Sequence, residues 1–91
     1  MLSSASQLGR LTLLVERLLD ADLLLDTEAE ALLAQAESAR LSLEAGDTDS
    51  GRRTVERIVV FTEALVRTDA LGEAYGHAVI ETARRILPPD A

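Results

Sequence analysis

The chain has no cysteine, no tryptophan and no lysine, and its aromatic rings are Phe61 and Tyr75 alone. Without cysteine there is no disulfide, no thiolate metal site and no cysteine nucleophile. That absence leaves the compartment open, because a secreted helical bundle does not need a disulfide. Aromatics make up 2% of the residues, so the core has to be built from Leu, Val, Ile and Ala. Cations are also scarce. Nine arginines face sixteen carboxylates, for a formal net charge of -7. Phosphate binding needs positive charge, so nucleic acid and anionic membranes are excluded as partners. No apolar run reaches the roughly 20 residues that cross a bilayer, and no secretory signal precedes Ser3. Strand alternation, low-complexity tracts and a repeating period are absent as well.

What remains is aliphatic and helical. The 91 residues are 47% hydrophobic, too apolar for a disordered tail and enough for one small domain spanning 1–91. Such a chain buries only about two-thirds of its unfolded surface. Its stability is therefore on the order of 5 kcal/mol.

The stretch from Ala29 to Val66 organises the chain. It reads as two helices folded back on each other at Gly46-Asp47. Ala29, Leu32, Leu33, Ala36, Ala39 and Leu43 recur at helical spacing before the turn. Val55, Ile58, Val59, Thr62, Leu65 and Val66 do so after it. Neither stripe can stay in water, and one helix pair cannot cover both, so the chain ends must close over them. The first helix begins near Ser6, with capping-box spacing from Ser4 to Gln7. Leu8, Leu11, Val15, Leu18 and Leu19 line one of its faces, and Gly9 weakens its first turn. A connector follows with Leu23-Leu24-Leu25 at its centre, of which at least one leucine should plug the end of the bundle. Thr27 and Glu30 have the spacing of a capping box for the second helix. Gly46 suits its left-handed terminus, and residues 47 to 51 supply the next helix start. Asp69 reads as the cap of a fourth helix, with Leu71, Tyr75, Ala78, Val79, Thr82, Ala83 and Ile86 as its buried stripe. Pro88-Pro89 ends it. The expectation is an all-α bundle of about four helices, near 6–20, 28–45, 50–68 and 70–87, with short connections and antiparallel neighbours.

Few residues point to chemistry. The acidic runs from Asp20 and from Asp47 fail the calcium-loop pattern of oxygens at positions 1, 3 and 5, Gly at 6 and Glu at 12. Leu24, Leu25 and Ala31 stand at 5, 6 and 12 in the first run. Gly51, Arg52 and Ile58 stand there in the second. His77 is the lone histidine, with Glu73 and Glu81 four residues to either side on one helical face. It lacks the nucleophile and orienting carboxylate of a catalytic set and reads as a surface residue. Gly72 and Gly76 are spaced to let the fourth helix approach a neighbour closely, and Tyr75 reads as a core ring with its hydroxyl at the rim. Arg40 falls on the apolar face of the second helix and reads as snorkelling or carboxylate-paired rather than ligand-binding. No nucleotide loop, metal triad or catalytic triad is present. No catalytic, cofactor or metal residues are therefore assigned, and no cofactor is expected.

Several short segments together resemble the FIMAH domain, a small helical module of bacterial proteins. They are Leu14-Val15-Glu16 with Leu18, Ala31-Leu32-Leu33-Ala34, Glu37-Ser38-Ala39, Leu43 followed by Gly46-Asp47-Thr48, Val55 with Ile58, and Ala83 with Ile86. The resemblance covers nearly all the chain and rests on small and apolar residues at helical spacing. It implies a module appended near the C-terminal end of large secreted proteins, many of them hydrolases, which the Pro88-Pro89 ending suits. It brings no catalytic residues.

The functional expectation is a non-catalytic accessory or interaction module whose partners are parent-protein domains or another protein. Secretion follows if the resemblance holds; otherwise the chain is cytoplasmic. The rival reading is a free-standing, acidic, intracellular adaptor or regulator acting as a homodimer. Each helix carries one apolar residue away from its buried stripe: Leu13, Leu41, Val60 and Ile80. They read either as scattered surface residues or as a partner surface, with Leu13 on the first helix the centre of a weak homodimer or a parent-domain contact.

Overall fold

The computed structural model describes residues 4–86, with side chains from Ser6 onward. It contains four helices: α1 (Ser4–Asp20), α2 (Asp26–Glu44), α3 (Thr48–Arg67) and α4 (Glu73–Arg84). Each packs on the next, and α1 closes the ring against α4, so the diagonal pairs stay apart. Short turns between sequential neighbours make this an antiparallel four-helix bundle. The Cα radius of gyration is 12.4 Å, close to the roughly 13 Å of a single compact domain near this length.

The core is aliphatic. Leu8, Leu11, Val15 and Leu18 of α1 meet Val55, Ile58 and Leu65 of α3 and Val79 and Ala83 of α4 in one buried cluster. The buried face of α2 is mostly small, with Ala29, Ala36 and Ala39 around Leu32. Small side chains there let neighbouring helices come near. Gly51 does the same from the α3 side: a Cβ on it would lie 2.7 Å from Leu43 Cδ2. The Ser42 and Ser50 hydroxyls bridge the same pair of helices at 3.2 Å. Thr62 is fully buried in α3, and its hydroxyl donates to Ile58 O at 2.7 Å, so its burial leaves no unmet polar group.

All three interhelical turns close the preceding helix in one way. After α1, Leu23 N–H donates to Leu18 O and Asp22 N–H to Leu19 O. After α2, Asp47 N–H donates to Ser42 O and Gly46 N–H to Leu43 O. After α3, Ala70 N–H donates to Leu65 O and Asp69 N–H to Val66 O. These paired bonds are the Schellman arrangement, which needs a left-handed residue at its centre. Asp22, Gly46 and Asp69 fill that place with φ of 60°, 82° and 61°.

Several boundaries differ from the sequence expectation, for local reasons. The second helix starts at Asp26, because the Glu28 carboxylate accepts from Leu25 N–H at 3.1 Å. Thr27 therefore sits inside the first turn and does not cap it. Asp69 does not cap the fourth helix; it terminates α3, and α4 starts later, at Glu73. Asp47 does cap α3, accepting from Ser50 N–H at 3.1 Å. In the connector, Leu24 is the buried plug, Leu23 is half-buried and Leu25 is exposed. The Ser4 side chain and the Pro88-Pro89 ending lie outside the described residues.

Candidate interaction surface

Tyr75 is the clearest departure. Its side chain was expected in the core, yet it is 44% exposed. With α4 starting at Glu73, the buried positions are Gly76, Val79 and Ala83, and Tyr75 lies about 100° away from Gly76. Its ring covers Gly72 instead, where a Cβ would lie 3.1 Å from Tyr75 Cδ2. Gly76 does provide the expected close approach: a Cβ there would collide with Val66 Cγ2 of α3. Gly72 lies outside the helix and is not part of that contact.

The outward apolar residues separate into two kinds. Leu13, Leu41 and Val60 are 47%, 55% and 60% exposed. Ile80 is half-buried. It lines a groove between α3 and α4 with Val66, Arg67, Glu73 and His77. The difference follows from position, because the Ile80 side of α4 faces α3. Leu13 borders a groove between α1 and α2, with Gly9, Leu33 and Ala36 on its walls. Val60 lies beside the half-buried Phe61 on the outer face of α3. No described groove is lined by two of the four residues.

The charged groups form local pairs. Arg40 bonds to Glu37 through two nitrogens, with Nε 3.0 Å from Oε2, and to Glu44 Oε2 through Nη1 at 2.7 Å. All three belong to α2, one turn apart, which is the ordinary helical ion-pair spacing. The hydrogen bond from Arg40 holds the Glu37 carboxyl below its usual range, with the arginine's charge adding to the effect. The same bonds raise the proton affinity of Arg40. His77 is exposed, with Nε2 3.5 Å from Glu81 Oε1. Among the described residues no ionisable side chain is buried, and the buried polar side chains are Gln7, Thr54 and Thr62. Among them, too, no three His, Asp or Glu side chains gather as metal ligands do. No helix among them is long and apolar enough to cross a membrane.

Two surface features were not anticipated from the sequence: the bare backbone at Gly9 beside Leu13, and the exposure of Leu25 and Tyr75. Tyr75 stands four residues before Val79, at the margin of the buried stripe, where helical spacing alone does not exclude it from the core. Gly9 and Leu13 are four residues apart, a spacing already visible in the chain. Compared with known proteins, the chain matches no family model, no curated protein and no solved structure.

Proposed function

We propose that the chain is a non-catalytic helical module that works by protein contact, appended to a larger secreted bacterial protein. The observation that carries this reading is the distribution of polarity. Among the described residues every ionisable side chain is at least partly solvated, and the two buried hydroxyls whose bonds are described, Thr54 and Thr62, donate to carbonyls of their own helix. Catalytic acids, bases and nucleophiles depend on desolvated, mutually oriented groups. By contrast, large aliphatic side chains on α1, α2 and α3 face outward, where they contribute nothing to the core. The resemblance to the FIMAH domain supports the appended, secreted setting and brings no active site with it.

The native open reading frame tests this. The expected result is a much longer parent with an export signal. Deleting this module should leave the parent's turnover intact and weaken its attachment to a partner or to its other domains. A reading frame that codes for this chain alone, with the product retained in the cytoplasm, would overturn the appended reading in favour of a small acidic adaptor.

A further inference from the structure

We infer that the outward face of α3 around Val60 is a docking surface, and that it receives the acidic turn between α1 and α2 of a second copy of this chain. The inference rests on the reading of the chain as a contact module and names the partner for one face. The two surfaces are opposite in charge. From Asp20 to Glu30 the chain holds five carboxylates and no arginine. Asp20, Asp22, Asp26 and Glu30 are exposed. Among them Leu25 is 66% exposed, more than any other large apolar side chain of the described residues.

The receiving face carries the complementary set. Val60 is 60% exposed and has a hollow on either side. One hollow runs along α3 past Arg53, Arg57 and Phe61. The other lies between α3 and α4, with Val55 and Val59 on its wall and Arg84 at its rim. Three arginines thus surround Val60 against a single carboxylate, Glu56. None of the three has an ion-pair partner, in a chain with sixteen carboxylates. An exposed leucine set among free carboxylates therefore matches an apolar notch set among free arginines. The other described hollows lack this surplus of positive charge. The one beside Ile80 sets Glu63 and Glu73 against Arg67 and His77. The one beside Leu13 has Arg40 as its cation, which Glu37 and Glu44 already hold.

The turn and the face are different surfaces, so the contact is directional: one copy gives the turn and the other receives it. It is small, one leucine and its flanking aspartates on one helix face, at the low end of specific interfaces. Each copy also carries a net charge of -7, which opposes association at long range. Salt screens that repulsion beyond about 8 Å at physiological ionic strength, and the local attraction then decides. A dissociation constant on the order of 100 μM is expected.

Sedimentation or light scattering of the chain from about 10 μM to 1 mM, a range that brackets this constant, tests the inference. The wild type should associate across that range. Leu25→Ser removes the tip and leaves a residue that suits the start of α2; Val60→Glu closes the face. Each variant should stay monomeric alone. Their equimolar mixture should associate, because the first keeps an intact face and the second an intact turn. Arg53→Glu combined with Arg57→Glu should also abolish association. All of these residues are exposed, and a thermal melt of each variant checks that the fold is retained. A wild type that stays monomeric throughout overturns the inference, as does association that survives Leu25→Ser or the two arginine changes, or a mixture that fails to associate. None of these outcomes touches the appended-module reading, which the reading frame decides.

Discussion

Arg40 sits between two glutamates of its own helix, one turn to each side. Its place on the apolar side of α2 looked anomalous, and the structure resolves this by turning the guanidinium along the surface to Glu37 and Glu44. The pair makes a pH prediction. The folded-state Glu37 carboxyl is depressed, so its contribution is complete above the ordinary glutamate range and is lost as pH falls through the lowered value. NMR titration of the side-chain carboxyl should show Glu37 protonating below an ordinary glutamate, and Arg40→Gln should restore ordinary behaviour. An unchanged titration in that variant would show that the bond does not persist in solution. Gly76 gives a second prediction at this scale. Ala in place of Gly normally gains about 1 kcal/mol in a helix interior. Here the new methyl collides with Val66, whose branched side chain has few alternative rotamers. Gly76→Ala should therefore destabilise the bundle, and adding Val66→Ala should recover much of the loss in a denaturation series. A stabilised single variant would disprove the close contact between α3 and α4.

At the scale of the element, the helix ends follow one pattern with two different residue types. Gly46 takes the left-handed position after α2 without steric cost. Asp22 and Asp69 take the same position after α1 and α3, where a side chain is disfavoured. Replacing either aspartate with glycine should stabilise the protein by about 0.5–1 kcal/mol, and Gly46→Ala should lose a comparable amount. Urea midpoints for the three variants check this. Equal midpoints would mean that the turns open without affecting the bundle. The pattern also explains the errors in the predicted boundaries. An aspartate before a helix is a familiar cap, so Asp69 reads from sequence as the start of α4. A local bond from Asp69 N–H to Val66 O assigns it to the end of α3 instead. Glu28 misleads in the same way, since a carboxylate that reaches back to Leu25 moves the start of α2 ahead of Thr27.

For the whole molecule, the buried cluster sets which substitutions matter. Ile58 has no solvent exposure, whereas Leu33 only packs against the edge of the cluster. Both lie on predicted stripes, so the sequence alone treats them as equals. Ile58→Ala should cost about 2–5 kcal/mol, and Leu33→Ala distinctly less. Against the roughly 5–15 kcal/mol that holds a small domain together, only the first threatens folding. Denaturation curves with the two midpoints reversed would move the centre of the core toward the α1–α2 edge.

The sequence by itself determined that the protein is an all-α bundle, because four apolar stripes at helical period have no stable arrangement except against one another. It also determined the inward residues at the centre of each stripe: Val15, Leu32, Ile58 and Val79 are all buried, since a position in mid-stripe is covered whatever the neighbours' exact placement. Only the tertiary structure decided the residues at the stripe margins. Leu33, Tyr75 and Ile80 lie where a few tens of degrees of helix rotation, or two residues of helix start, turn a side chain from core to groove or from core to solvent. Local periodicity is blind to that rotation. The packing of each helix against its two neighbours sets it, through close contacts such as Gly51 on Leu43 and Gly76 on Val66. The same packing leaves Leu13 facing outward.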